Sequence, residues 1–366
     1  MGINVFVGFN NDFLSVTDIF RETFVLDIDE LSDGFRMNFG AGVVPMFFNY
    51  KSKDEWGIGL SLGAEAVGSF SLSGKMLSFS EADDDVSEIS GAVFADVALS
   101  SFFYIDKLKM KFKSAVYVPV VYAKSDISYT FNNTEDGTVL NLGYEVNIWT
   151  AFPTEENAGF KMTARPGIDF YLGAEYPLSE VLGIKDKISF LDFDVGLDLI
   201  NIPFMPSAGL NYMKITGSIG SGEPINFFGD DGMDMASSFP IDDDTKYGEE
   251  LRVIYRPFKT LVWVNWRPLG IKLLTVIPTI GFAFNTLYAE PLSLEGGLKA
   301  RLDLSNFFIA TIGAGYHDRL WKNSIDLAFN LRAIQLNIGA DLRSPDFSQS
   351  WKGSGFGFYV GVILGW

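Results

Sequence analysis

The sequence feature that most constrains the fold is a period of two in hydrophobicity that recurs along most of the chain. Successive side chains of a β-strand point to opposite faces, so this period predicts strands with one apolar face. The segments 56–72, 108–122, 162–176, 292–304 and 334–342 all show it. In the last segment, 355–366, the apolar face is formed by Phe356, Phe358, Val360, Val362, Leu364 and Trp366. The sequence therefore predicts an all-β protein.

The length of these segments favours a transmembrane barrel over a soluble sandwich. Soluble strands average about 5–6 residues, whereas these run to ten or more. A transmembrane β-strand needs ~9–11 residues that alternate between lipid and lumen. We therefore predict one antiparallel, up-and-down transmembrane β-barrel over residues 1–366, with about 16 strands and 14 as the alternative.

The connections between strands alternate between short and long, as in outer-membrane barrels. Counting back from Trp366 puts the short turns at 267–270, 305–306 and 332–333 on the periplasmic side, together with a turn at 202–208. The same count predicts external loops at 10–34, 73–90, 218–249 and 343–354. Residues 15–32 break the alternation and begin with a favoured helix cap, Ser15, which predicts a short helical segment. That helix would be either a surface element or a plug in the barrel mouth.

Composition excludes several classes of protein. The chain has no cysteine, one histidine and a formal net charge of −18. Disulfides and thiol chemistry are therefore excluded, and a pI near 4.4 argues against nucleic acid as a partner. No apolar run approaches the ~18–20 residues of a transmembrane helix. The first residues lack the basic start of a signal peptide, so we expect a mature outer-membrane form from which a leader has been removed.

The face opposite the apolar one carries the candidate site residues. Its charged members predict a watery lumen: Glu65, Lys109, Lys111, Lys113, Arg165, Asp169, Asp192, Asp194, Asp198 and Arg301. Apolar residues assigned to the same face are the candidate ligand contacts: Val44, Met46, Phe48, Tyr117, Val121, Trp149 and Ile277. The three aspartates of 192–198 share one strand face, which favours pairing with lumen cations over a metal site. No metal and no cofactor is expected.

Five prolines lie inside predicted strands: Pro45, Pro119, Pro166, Pro257 and Pro278. Proline cannot donate to a strand ladder and is confined to edges and bulges. Because a closed barrel has no edges, each of these prolines predicts a bulge or a local opening in the wall.

Catalytic signals are weak. Ser61 lies in "GLSLG", which matches the G-x-S-x-G nucleophile elbow, but that motif requires a strand-to-helix turn and Ser61 is in unbroken alternation. His317 is the only histidine, and no serine is placed to pair with it. We expect His317 to lie in a loop or an aromatic girdle, and the protein not to be an enzyme.

The terminal strand, with Phe356, Phe358 and a final Trp366, resembles the carboxy-terminal assembly signal of bacterial outer-membrane proteins. Nearly the whole chain resembles the FadL-type long-chain fatty-acid transporter group in architecture. The resemblance implies outer-membrane lipid and the barrel assembly machinery as partners, and a strand kink that opens a lateral exit to lipid. It also implies uptake of hydrophobic or amphipathic small molecules. Two alternatives stay open: a general aqueous porin, and a non-transporting barrel that serves as an adhesin or partner scaffold.

Overall fold

The computed structural model describes residues 2–11, 35–52, 56–72, 87–134, 137–151, 164–184, 188–220, 241–286, 291–331, 333–344, 346–352 and 355–364. These residues form 17 strand segments, two short α-helices and one turn of 3-10 helix at Ser189–Leu191. The strands are β1 Gly2–Asn11, β2 Phe35–Ser52, β3 Trp56–Leu72, β4 Ser87–Ile105, β5 Leu108–Thr134, β6 Gly137–Thr150, β7 Gly167–Tyr176, β8 Asp192–Met205, β9 Ser207–Gly220, β10 Ile241–Ile254, β11 Phe258–Arg267, β12 Leu274–Phe284, β13 Leu292–Leu304, β14 Phe308–His317, β15 Leu320–Leu331, β16 Ile334–Ser344 and β17 Gly355–Leu364. The helices are α1 Leu178–Val181 and α2 Phe347–Ser350.

The segments form one antiparallel sheet that closes on itself. The first and last strands pair continuously, from Gly2 opposite Ile363 to Asn10 opposite Gly355. Closure leaves the first and last strands with no free edge, which is the arrangement that a membrane requires of β-structure. The prediction of an antiparallel transmembrane barrel is confirmed.

The barrel has 14 strand positions. Three positions hold two segments end to end, namely β6 with β7, β8 with β9, and β10 with β11. The long strand β5 pairs with β6 along Val121–Thr134 and with β7 along Lys109–Tyr117. The predicted alternative of 14 strands is confirmed, and the count of 16 differs because it takes end-to-end segments as separate strands. The turn expected at 202–208 is wrong for the same reason, since the chain there passes directly from β8 into β9.

The two faces of the wall differ as the alternation predicts. On β17, Phe358 and Val360 are 57% and 45% exposed on the outside, while Gly357 and Gly361 are buried on the inside. On β13, Leu294 is 77% exposed on the outer face, while Glu295 is buried on the inner face. Trp366, the last residue of the predicted assembly signal, lies outside the described residues.

The two ends of the barrel also differ. The end that holds Gly2 and Leu364, here called the terminal end, has tight turns such as Ser305–Asn306, where both residues have positive φ. The opposite end, here called the loop end, carries the longer connections, apart from tight turns such as Asp318–Arg319. Strands extend into the ranges predicted as external loops, since β4 begins at Ser87, β10 at Ile241, and β16 ends at Ser344. The predicted helical segment at 15–32, and most of 10–34 and 73–90, lie outside the described residues.

A row of proline-containing interruptions crosses four neighbouring strand positions at one height. Pro119 adjoins a bulge in β5, Pro166 precedes β7, Pro206 separates β8 from β9, and Pro257 separates β10 from β11. Below this row lie β7, β8 and β11. Above it, β5, β6, β9 and β10 form a sheet that rises toward the loop end, here called the upper sheet.

The two remaining prolines behave differently from each other. Pro45 lies in a bulge, because Val43 faces Ala64 while Met46 faces Leu62. Pro278 leaves the register of β12 unchanged, but the ladder between β11 and β12 is interrupted beside it, from Trp263 to Trp266. Pro45 therefore lies at a bulge and Pro278 lies beside a local opening in the ladder, as expected for prolines within strands.

Among the described residues, neither helix is long and apolar enough to cross a bilayer.

The outward face of β17 allows a direct test of orientation. Val360→Arg should impair assembly, because arginine at a midplane lipid-facing site costs roughly 2–4 kcal/mol. Gly361→Arg is not a suitable control, since even a Cβ there would come within 2.3 Å of the Asn4 side chain. Asn337→Arg is the matched control, because Asn337 pairs with Gly361 and its side chain is on the lumen side. Folded yield, measured by heat-modifiable gel mobility, should fall for Val360→Arg and stay near wild type for Asn337→Arg; the opposite order would contradict the assignment of faces.

Candidate functional site

The candidate site is a cavity of about 680 Å³ inside the barrel. Part of its wall is apolar and comes from β1, β2, β8 and β15, with Phe6, Val44, Ile200 and Leu320. Another part carries charges from β3, β4, β5, β11 and β15, with Glu65, Asp96, Lys113, Lys259 and Lys322. The cavity therefore combines the two kinds of surface that an amphipathic molecule requires.

Arg256 forms the most buried ionic contact of the cavity. It lies between β10 and β11, in the row of interruptions, and only 6% of it is exposed. Its guanidinium donates two hydrogen bonds to Asp169, at 2.6 and 2.7 Å, and a third to Asp96. It thereby ties the junction to β7 and to β4. A buried arginine is tolerated only when its charge is paired and hydrogen-bonded, and the two carboxylates supply this.

Tyr117 completes the junction from β5. It is 1% exposed, and its hydroxyl donates to the Ile254 carbonyl at 3.0 Å and accepts from the Ser207 amide at 3.3 Å. These hydrogen bonds satisfy backbone groups where β9 begins and β10 ends, at the point where strand pairing is interrupted. The Arg256 guanidinium lies 5.0 Å from the Tyr117 ring centroid, within cation–π range.

A second ionic cluster lies at the loop end of β11, β13 and β15. The Lys259 ammonium contacts Glu295 at 3.2 Å and also Asp318, which accepts from Lys322 at 3.2 Å. The Glu295 carboxylate lies 3.3 Å from Nδ1 of His317. Burial alone would raise the pKa of Asp318, but Lys259 and Lys322 outweigh it and hold that pKa below its ordinary value.

Nearer the terminal end, the predicted lumen carboxylates all have protein partners. Arg267 contacts Asp192 at 2.9 Å and also Asp194. Asp198 accepts from the Tyr171 hydroxyl at 2.5 Å and from the Trp263 indole at 2.7 Å. These contacts use the carboxylates that could otherwise have held a cation.

The predicted lumen lysines have different surroundings. Lys111 and Lys109 approach Glu175 at 3.3 and 4.0 Å. Lys113 lies two residues beyond Lys111 on the same face of β5. It lines the cavity and has no ion-pair partner among the described residues. Arg301 contacts Asp303 at 3.3 Å. Arg165 is exposed and engages Ala208 through its backbone, so its side chain is not part of the described lumen clusters.

Four of the seven predicted apolar contacts face inward. Val44 lines the cavity, Tyr117 forms the junction, and Ile277 faces inward opposite Lys299. Trp149 is buried higher up, with its ring 5.6 Å from Tyr122, and does not line the cavity. The structure therefore does not bring these residues together into one contact surface.

The other three predicted contacts are on the outer face, and their assignment to the lumen is wrong. Met46 and Phe48 are 40% and 58% exposed beside the outward residues Leu62 and Leu60. Val121 faces Val93 and alternates with the buried, inward Tyr122. In both strands a bulge inserts one extra residue, which moves every following side chain to the opposite face.

The two weak catalytic signals have structural explanations. Ser61 lies within β3, opposite Ala98, and not on a strand-to-helix turn. His317 ends β14 and faces Glu295 as described above.

Sequence reasoning missed Arg256, Lys259 and Lys322 as lumen residues. Lys259 and Lys322 follow the inward parity of their strands, so the alternation could have identified them. Arg256 lies between two strands, where no parity applies.

Comparison with known proteins gives structural likeness only. No family model matches the chain, and no curated protein matches its sequence. The toluene transporter TbuX of Ralstonia pickettii is similar over 99% of this chain and 87% of that chain, with 10% identity and a TM-score of 0.47. OccAB3 of Acinetobacter baumannii is similar over 99% of this chain and 97% of that chain, with 10% identity and a TM-score of 0.22. A porin mutant of Rh. blastica covers 99% of both chains at 7% identity and a TM-score of 0.23.

The closed wall, the apolar outer face and the charged lumen together define the class of protein. The chain has the fold of an outer-membrane β-barrel.

The junction at Arg256 can be tested by its effect on stability. Arg256→Met should destabilise the barrel by about 3–5 kcal/mol, because it leaves the buried Asp169 and the partly buried Asp96 without their cation. The triple variant Arg256→Met/Asp169→Asn/Asp96→Asn removes both orphaned charges and should recover much of that loss. The temperature of the heat-modifiable mobility shift measures both effects, and equal losses in the two variants would contradict charge pairing as the role of Arg256.

Proposed function

We propose that the barrel takes up small amphipathic molecules across the outer membrane, and that they bind in the lumen cavity on the way. The observation that carries this proposal is the division of the cavity wall between apolar side chains and charged ones. A water-filled pore has no need of Phe6, Val44 and Leu320 on its inner wall, whereas a ligand with a hydrocarbon part does.

The size of the cavity supports a small ligand. Sites for small molecules typically enclose roughly 300–1,000 Å³ and are mostly apolar with a few placed polar groups. A volume of about 680 Å³ falls within that range. The ligand is therefore a molecule of moderate size, and the cavity is a site that it occupies while it passes through the barrel.

The charge pattern favours an anionic head group on the ligand. Arg256, Lys259 and Lys322 are all engaged by carboxylates. Lys113 is a cavity cation without an ion-pair partner among the described residues. An entering carboxylate or sulfate would meet Lys113 without first having to displace a protein carboxylate.

The row of interruptions supports an exit through the wall. Arg256 lines the cavity and also lies in that row, so the cavity reaches the height at which strand pairing is broken. A lateral exit to lipid at this height agrees with what the resemblance to the FadL-type group implies. An amphipathic ligand would leave there without crossing the charged clusters nearer the terminal end.

A general aqueous porin is the second candidate, and the charged lumen favours it. Lys109, Lys111, Asp192 and Asp194 line the inner face toward the terminal end, where a water column would solvate them. The two candidates differ in conductance. A porin conducts steadily and does not respond to an amphipathic solute, whereas an occupied transport cavity conducts little and responds to its ligand.

The test uses octanoate and octanol, which share a chain and differ in charge. Octanoate should suppress the bilayer conductance of the purified barrel in a saturable way, and Lys113→Gln should weaken this effect two- to fivefold, or about 0.5–1 kcal/mol for one partly solvated charge contact. The effect of octanol should not change in Lys113→Gln. Lys299→Gln is the matched control, because Lys299 faces the lumen on β13 but does not line the cavity.

Three results would contradict the proposal. One is a large conductance that octanoate does not alter, which would identify an aqueous porin. The second is an equal weakening of the octanoate effect in Lys113→Gln and in Lys299→Gln. The third is that Lys113→Gln weakens the suppression of conductance by octanol as much as the suppression by octanoate.

A further inference from the structure

A second cavity lies on the outer face of the barrel, away from the lumen. It is a groove of about 940 Å³ across β13–β17. Two complete cross-strand rows of outward side chains form its floor and sides. The row nearer the loop end is Leu298, Ala314, Asn323, Leu342 and Phe356, and the next row is Ala300, Ile312, Ile325, Ala340 and Phe358.

The groove exists because small side chains interrupt an otherwise bulky surface. Ala300, Ala314 and Ala340 lie among leucine, isoleucine and phenylalanine in the same two rows. A bilayer-facing wall gains contact from large apolar side chains, and each alanine leaves a depression of several methylene groups. Ala300 and Ala314 are diagonal neighbours on β13 and β14, and Ala340 lies on β16 between Leu342 and Ile338, so the low points fall on both sides of the groove.

The helix α2 closes the loop end of this groove by folding outward. Its Phe347 ring lies 4.9 Å from Trp321, an outward residue of β15, and Trp351 just after the helix lines the groove itself. The Asn323 amide donates to the Ser350 hydroxyl at 2.9 Å, which fastens the helix to the outer wall. The result is a roof of aromatic rings at one end of an apolar channel.

We infer that this groove binds an acyl chain of a membrane lipid, with the lipid head group at the level of the aromatic roof. The floor is continuous with the apolar outer face that contacts hydrocarbon, so a hydrocarbon chain is the occupant that the membrane supplies. Tryptophan and other amphipathic rings are favoured at the membrane–water interface, where head groups lie. Asn323 and Trp351 place polar N–H groups near that level, beside the end of the chain.

The shape of the groove distinguishes a bound lipid from ordinary boundary lipid. A chain on a convex barrel wall contacts protein on one side only. A chain in this groove contacts both rows, the rims formed by Leu298 and Phe356, and the roof at Trp351. More of its surface is removed from exchange with bulk lipid, so the bound lipid should stay with the protein during detergent extraction.

Filling the groove tests the inference. Native mass spectrometry of the detergent-purified barrel, with phosphatidylglycerol added stepwise, should show one lipid retained by the wild type ahead of all further lipids. Ala314→Phe and Ala340→Phe should each weaken this first binding at least fivefold. The matched control is Ala95→Phe, which adds the same ring to the outer face on β4, away from the groove. Heat-modifiable mobility confirms that each variant is folded.

Each outcome decides the inference. Loss of the first lipid in the two groove variants, with retention in Ala95→Phe, supports it. Equal lipid binding in all four proteins, or no discrete first lipid in the wild type, overturns it. A wild-type dimer that Ala314→Phe converts to a monomer, with no lipid lost, also overturns it, because the groove would then hold a second copy of this chain.

Discussion

The structure depends on one constraint, which is that no backbone amide or carbonyl facing hydrocarbon can be left unpaired. Each such group costs several kcal/mol in lipid. The continuous pairing of β1 with β17 meets this constraint by closing the sheet between its first and last strands, while β10 in the upper sheet pairs only with β9 among the described residues. Closure then determines which side chains meet lipid, which are confined to the lumen, and where interruptions of the wall can be tolerated.

The interruptions are concentrated where side chains can replace the missing strand pairs. At the junction of β8 with β9 and of β10 with β11, the Tyr117 hydroxyl bonds to the Ile254 carbonyl and the Ser207 amide. The Asn201 amide similarly donates to the Pro257 carbonyl at 2.9 Å. Arg256 adds charge-assisted bonds to the same junction. The wall can therefore bend into the upper sheet without leaving these polar groups orphaned.

Confinement of charge in the lumen follows from the same closure. Charged side chains cannot face lipid, so the alternation places them together inside, where water is limited and pairing is favoured. The three clusters around Arg256, Lys259 and Arg267 are the consequence. Lys113 differs because it lies on the cavity wall without such a partner among the described residues, and this difference gives the proposed binding site its polarity.

The alternation of the sequence predicted the fold class and most of the face assignments, because strand periodicity is a local property. It failed after Pro45 and Val120, since a single inserted residue reverses the parity of every later residue in the strand. Met46, Phe48 and Val121 were misassigned for that reason. The prolines indicated interruptions but not their size. Whether two segments lie end to end or side by side depends on long-range pairing, so the alternation left 16 and 14 strands as alternatives. Arg256 had no periodic signal at all.

The most direct test of this account is the accessibility of single cysteines at two adjacent positions that follow the Pro45 bulge, in a chain that has no native cysteine. Spin labels at Phe47→Cys and Phe48→Cys in lipid bilayers report collisions with oxygen, which concentrates in hydrocarbon, and with a polar nickel chelate, which stays in water. A closed barrel with a bulge at Pro45 predicts oxygen access at residue 48 and chelate access at residue 47. An uninterrupted alternation would reverse the two, and chelate access at both positions would show that this wall does not face lipid.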